Sequence, residues 1–214
     1  GADMMLSESD IDYKLVQNSR IFHFGSLSMT GEICEAATKK AVETAKESGA
    51  IISFDPNLRE NLWDSLDKAR EKIAYGISEC DILKISDNEI QWFTGEQDFD
   101  RAVEILRGRY GNIKLLLLSL GKNGSRAYCG ENSAFAPAAP ANTIETTGAG
   151  DTFCGGILAK VLEYGLRNYS AEELTGILNY ANSAAGIVTE RRGALKVMPS
   201  PAEINERLER ITND

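Results

Sequence analysis

The chain has 214 residues, 43% hydrophobic and 26% charged, which excludes a disordered tail and leaves room for one ordinary domain. Asp plus Glu number 32 against 23 Lys plus Arg, a formal net charge of -9 with no basic cluster, so a nucleic-acid backbone is not the expected partner. The longest unbroken apolar run, Leu115 to Leu118, is far short of a membrane span, and the acidic residues 1–15 lack the order of a secretory signal.

In chain order, short apolar runs alternate with longer amphipathic ones. Arg20-Ile21-Phe22-His23-Phe24 reads as a buried strand stopped by Gly25, with His23 a satisfied buried residue. Glu32 to Ser48 carries Ile33, Ala36, Ala37, Ala41, Val42 and Ala45 at helical spacing, and Gly49 ends it. Ala50 to Phe54 is the next strand, followed by the loop signal Asp55-Pro56-Asn57. A helix over Ser65 to Tyr75, a strand over Asp81 to Lys84 and a short helix over Asp87 to Phe93 come next. A helix over Phe99 to Tyr110 leads into Ile113 to Leu118, the most apolar strand. Gly124 to Cys129 and Ser133 to Ala136 flank Gly130-Glu131-Asn132 as a hairpin. A short strand is expected before Thr146, then three helices: Asp151 to Tyr164, Ala171 to Thr189 and Pro201 to Thr212.

No repeat, low-complexity tract or linker divides the chain, so a single domain over 1–214 is expected. Strands alternating with helices imply a mostly parallel sheet covered on both faces, a three-layer α/β/α sandwich with ligands at the carboxyl ends of its strands. Cys34, Cys80, Cys129 and Cys154 are widely spaced and His23 is the only histidine. That arrangement lacks the clustered ligands of a zinc site and fits a reducing cytoplasm better than a disulfide scaffold. Cys154 reads as a packing residue, and no GxSxG elbow serves a Ser-His-Asp triad.

The chemically informative segment is Thr146-Thr147-Gly148-Ala149-Gly150-Asp151-Thr152-Phe153. Glycines at a helix start let backbone N–H groups approach an anion, helped by the helix dipole. Asp151 in the same turn could take a proton from an attacking hydroxyl while those N–H groups hold a phosphoryl group. On spacing alone the segment could equally be just a well-capped helix start. A dinucleotide fingerprint would want Gly or Ala where Phe153 stands, and a P-loop would want Ser or Thr after Gly121-Lys122, where Asn123 stands. On charge and position alone, Glu89 reads as a solvated acid, Asp55 as a turn cap and Asn182 as a helix-packing residue. Arg59 reads either as a surface charge or, after a strand's carboxyl end, as a phosphate or sugar contact.

Thr147 to Phe153, TGAGDTF, resembles the signature of the ribokinase-like, or PfkB, carbohydrate kinases. Ser53-Phe54-Asp55-Pro56-Asn57-Leu58-Arg59 with Leu62-Trp63, Leu83 to Glu89, and Gly1 to Met4 with Phe22 to Ser28 are similar to stretches of bacterial fructokinases. The resemblance covers the C-terminal two-thirds of such a kinase. It implies an ATP-dependent kinase phosphorylating a hexose, fructose at its 6-hydroxyl first among the candidates. Ribokinase, 2-keto-3-deoxygluconate kinase, nucleoside kinase or a non-catalytic nucleotide-binding remnant are the alternatives. By the same resemblance Asp151 is the base and Gly148, Ala149 and Gly150 the anion hole, while Lys84, Ser86, Gly121, Gly124 and Asn182 fall at nucleotide-binding positions. Glu89 would influence magnesium indirectly, although Ser86 stands where the family's motif has Asn. ATP and Mg²⁺ are the cofactors the resemblance implies; Glu145 stands where Asp is usual near a monovalent-cation site, which Gly193 would help form, and that departure counts against potassium as a third. The resemblance also implies that the family's first strands and sugar-holding β lid have no counterpart here. That would leave an unpaired sheet edge and, in the longer parent, a homodimer built through the lid.

Overall fold

A computed structural model describes residues 2–193 and 195–213; Gly1 of the opening segment lies outside them. The elements in chain order are α1 (Tyr13–Gln17), β1 (Ile21–Gly25), α2 (Glu32–Glu47), β2 (Ile51–Asp55), α3 (Leu66–Glu79), β3 (Ile82–Ser86) and α4 (Asp87–Thr94). There follow α5 (Phe99–Arg109), β4 (Leu115–Ser119), β5 (Ser125–Cys129), β6 (Asn132–Ala136), α6 (Ala149–Tyr164), α7 (Ala171–Thr189) and α8 (Pro201–Asn213). The strands form one mixed sheet in the order β1-β2-β3-β4-β5-β6, and the chain divides into two compact units, Gly1–Leu116 and Leu117–Asp214.

In the first unit β1, β2 and β3 are parallel, with Phe24 opposite Phe54 and Phe54 opposite Leu83. β2 and β3 are buried along nearly their whole length, which in a parallel sheet means helices on both faces. Phe24, Phe54, Ile52, Ile82, Leu83 and Ile85 form the centre of that core. Side chains start α3 and α5: Ser65 Oγ accepts from the Lys68 N–H at 3.2 Å, and Asp98 Oδ1 from the Arg101 N–H at 3.0 Å. α3 runs on to Glu79, past the expected end at Tyr75, because Ile77 continues its buried stripe.

In the second unit β5 and β6 make the expected hairpin, with Cys129 opposite Asn132. Ser170 and Glu173 cap α7 reciprocally: the Ser170 N–H donates to Glu173 at 2.9 Å and the Glu173 N–H to Ser170 Oγ at 3.2 Å.

Two expectations need correction. No strand lies between β6 and Thr146 among the described residues; the Ile144 and Glu145 N–H groups both donate to the Thr189 carbonyl at the end of α7, at 2.8 and 3.1 Å. A single helix-end acceptor therefore anchors the segment that a ladder was expected to hold. His23 is exposed rather than buried, because β1 ends the strand order and its side chain alternates outward. His23 Nδ1 nonetheless shares a 3.0 Å hydrogen bond with Ser53 Oγ.

Candidate active site

In the first unit the chemistry gathers at the carboxyl ends of β2 and β3. Continuing the register of Phe54 beside Leu83 puts Asp55 beside Lys84. Both side chains are buried, at 5% and 6% residue exposure, and they pair at 2.8 Å. Burial pushes the Asp55 carboxyl up to about 6, with the Lys84 ammonium pulling it down and the Glu89 carboxylate adding to the rise. Asp55 Oδ1 also accepts the Asn57 N–H at 3.2 Å. Glu89, three residues into α4, accepts the Leu58 N–H at 2.8 Å on one oxygen and the Ser86 N–H at 2.8 Å on the other. Two carboxylates thus grip consecutive amides of the loop that carries Arg59, and Asn57 within it takes a left-handed φ of 45°. Arg59 is exposed and donates to the Leu58 carbonyl at 3.1 Å.

In the second unit the chemistry gathers at the start of α6. Gly148, with φ 77° and ψ 0°, is the residue before the helix, a conformation that costs an L side chain free energy. No side chain caps this end, whereas α3, α5 and α7 each have one. The Ala149 N–H turns back to the Thr146 carbonyl at 3.2 Å, and the Thr152 N–H reaches the Gly148 carbonyl at 2.8 Å. The Gly150 and Asp151 N–H groups between them have no hydrogen bond among the described residues. Asp151 itself is exposed in that first turn, so a carboxylate and an uncapped helix start share one place. α6 begins at Ala149, two residues before the expected Asp151.

Gly121 opens a 3-10 turn closed by the Leu120 N–H on the Gly124 carbonyl at 2.8 Å. A Cβ on Gly124, at φ 99°, would lie 2.1 Å from the Ala136 carbonyl oxygen, so only glycine fits there. Ser125 Oγ donates to Asn182 Oδ1 at 2.9 Å, and Asn182 Nδ2 donates to the Ala136 and Pro137 carbonyls at 3.2 and 2.9 Å. The Gly124 turn and Asn182 therefore belong to one buried cluster, with the amide of Asn182 turned into the protein. Glu145 Oε2 accepts the Gly193 N–H at 3.2 Å. The Thr147 hydroxyl and the Gly193 N–H together hold the Glu145 carboxyl below the usual range.

Among the described residues, no three His, Cys, Asp or Glu side chains come together as a metal cage, and no helix is long and apolar enough to cross a membrane. Within the first unit the structure brings Lys84, Ser86 and Glu89 into one hydrogen-bonded neighbourhood; within the second it joins Glu145 to Gly193, and Gly124 to Asn182. Sequence reasoning passed over Asp55 as a turn cap. The available signal was Lys84: an ammonium inside an apolar strand, between Leu83 and Ile85, demands a buried carboxylate beside it.

This is the ribokinase-like α/β fold. A fructokinase from Vibrio cholerae O395, solved in a fructose-, ADP- and calcium-bound form, superposes with a TM-score of 0.87 at 26% identity, over 97% of this chain and 66% of that one. An aminoimidazole riboside kinase from Salmonella enterica, complexed with aminoimidazole riboside and an ATP analog, gives 0.82 at 27% identity, over 97% and 68%. Fructokinase-1 of Zea mays is 34% identical across 98% of this chain and 64% of its own length. The pfkB family carbohydrate kinase pattern matches residues 1–201, and the chain belongs to that family. It spans less than two thirds of the length of that maize relative.

Proposed function

We propose that this chain is the nucleotide- and base-bearing portion of a sugar kinase that transfers the γ-phosphoryl group of ATP to a hexose hydroxyl, converting fructose to fructose 6-phosphate. The observation that carries the reading is the start of α6: Gly148 in the left-handed region, free N–H groups at Gly150 and Asp151, and the exposed Asp151 carboxylate in the same turn. The maize and Vibrio cholerae fructokinases support fructose as the acceptor, and the fructose- and ADP-bound form of the Vibrio cholerae one supports the nucleotide. The unbroken family match supports reading both units as one ribokinase-like domain.

Asp151 accepts the proton of the attacking hydroxyl, and the amides of Gly148 to Gly150 hold the charge of the transferring group. Lys84 and Ser86 act in the first unit by shaping the Arg59 loop through Asp55 and Glu89, and Arg59 is an exposed cation of that loop for phosphate or sugar. Gly121 and Gly124 keep a turn low enough for a nucleotide, with Asn182 fixing its far side. A magnesium ion, bound mainly through nucleotide phosphates and water, would supply charge neutralisation. Glu89, with both oxygens on backbone amides, acts on it only by ordering the loop. Glu145 already accepts from Gly193 and Thr147, so no step here is routed through potassium. Four buried thiols, those of Cys34, Cys80, Cys129 and Cys154, support a cytoplasmic setting.

The experiment is ADP release with Mg-ATP and a panel of fructose, ribose, glucose, 2-keto-3-deoxygluconate and adenosine. Release that depends on fructose alone supports the reading. Release with another member moves the acceptor and keeps the kinase. The span of less than two thirds of its maize relative favours a second reading, in which the chain binds nucleotide without turnover. ATP binding by titration without sugar-dependent ADP release would establish it.

A further inference from the structure

The C-terminal helices border a half-open cleft of about 390 Å³ that the kinase reading does not use. Lys160 and Tyr164 line it from α6, Gly176 and Tyr180 from α7, and Asn205 and Leu208 from α8. These residues follow helical spacing (160 and 164; 176 and 180; 205 and 208), so each helix turns one stripe toward the same space. Lys160 lies eleven residues along α6 from Ala149, about 16 Å from the phosphate-facing end at the rise of an α-helix. The cleft is therefore separate from the start of α6.

Three features give it the character of a ligand site. Gly176 sits in the interior of α7 with nothing within 4 Å of where a Cβ would stand, so its missing side chain opens the floor. Tyr180 is only 6% exposed, packed with Ala184, Ile187 and Ile204, and lines the cleft. The Lys160 ammonium lies 4.4 Å from the Tyr180 ring centre and 5.5 Å from that of Tyr164, with its side chain 19% exposed. Its carboxylate partner Glu163, at 2.8 Å, is 55% exposed, and a pair so open to water is readily exchanged. Glu173, which lines the cleft, is committed to Arg167 and to the Ser170 N–H. The exchangeable charge is therefore positive, set between two aromatic rings above an apolar floor. The volume falls in the range of small-molecule pockets.

We propose that this cleft binds a planar aromatic carboxylate, its ring on the Gly176 floor beside Tyr164 and Tyr180, and its carboxylate on Lys160 in place of Glu163. The Tyr180 hydroxyl and the Asn205 amide donate to its remaining acceptors.

The test is ligand-observed NMR titration of the full chain with 1-naphthoate. The expected result is saturable binding that excess Mg-ATP leaves unchanged and that acetate or inorganic phosphate does not displace. Gly176→Leu fills the floor without a clash and raises helix propensity, so the variant folds, and it should weaken binding at least about tenfold. Lys160→Gln should weaken 1-naphthoate while leaving neutral 1-naphthalenemethanol unaffected. Binding that ATP displaces, that survives Gly176→Leu, or that never saturates would overturn the proposal.

Discussion

The end of β2 in the first unit and the start of α6 in the second are built in opposite ways. Around Asp55 the ordering is done by charged side chains: a buried ammonium–carboxylate pair, and two carboxylates on consecutive loop amides. Around Gly148 it is done by the backbone: one left-handed glycine, no side-chain cap, and an exposed acid in the first turn. The first arrangement is satisfied within the protein, so its polar groups hold shape. The second leaves donors without partners, and those are the groups available to a ligand. Substitutions in the first should therefore appear in folding stability, and substitutions in the second in chemistry.

The largest expected effect tests the second half of that statement. Asp151→Asn should lower sugar-dependent ADP release by roughly 10²- to 10⁴-fold, the usual contribution of a positioned general base. Its ATP affinity should stay nearly unchanged, and its unfolding midpoint should move little because the side chain is exposed. A variant that keeps most of its turnover removes Asp151 from the role; one that unfolds breaks the comparison itself.

The next effect tests the first half. Lys84→Met strands the Asp55 carboxyl in the core and should cost about 3–5 kcal/mol in denaturant unfolding, as removal of one partner of a buried pair does. Asp55→Asn combined with Lys84→Met should recover much of that loss, because no uncompensated charge remains. A single-variant loss under about 1 kcal/mol would mean that the pair is wetter than its 5% and 6% exposures indicate.

The same contrast explains what could be read from the sequence. Backbone-built features were legible, because they rest on residues with one use: Gly148 before a helix, Gly130 in a hairpin, and the apolar period of β3 and β4. Side-chain pairings across strands were not, because Asp55 and Lys84 are 29 positions apart and only the sheet register joins them. Glu89 likewise looked solvated, since nothing local shows that its second oxygen reaches the Leu58 amide. His23 was misjudged for the complementary reason: an apolar strand looks buried whether or not a neighbour covers it, and β1 ends the strand order. The segment before Thr146 looked like a strand, but a single carbonyl, that of Thr189, takes both of its amides.

Gly124→Ala sharpens the comparison by asking whether the second unit also has a position that stability depends on. The added Cβ would stand 2.1 Å from the Ala136 oxygen at a φ of 99°, so the turn or the end of β6 must shift. The expected cost is about 1–3 kcal/mol, read as a lower unfolding midpoint, with nucleotide affinity falling alongside it. Equal stability would show that this turn yields more easily than its neighbours suggest.

The smallest effects are in pH, and there the two units should have opposite signs. Asp55 moves from 3.8 in the unfolded chain to about 6 in the folded one because burial disfavours its charge. The folded protein then holds a proton that the unfolded chain has released, so this group's stabilisation is complete below pH 4 and lost as pH rises through 6. Glu203 in α8 goes the other way, from 4.5 to about 2, held by the Ser200 N–H and by Arg191. Its stabilisation is present above 4.5 and lost as pH falls toward 2, and its size is small because the pair faces water. Thermal melts of Asp55→Asn should therefore gain on the wild type between pH 4 and 6. Melts of Glu203→Gln should trail the wild type more as pH rises from about 2 to 4.5. A gain for Asp55→Asn that runs downward with pH would show that the Lys84 ammonium, rather than burial, governs the carboxylate, and the two units would then hold their acids by the same means.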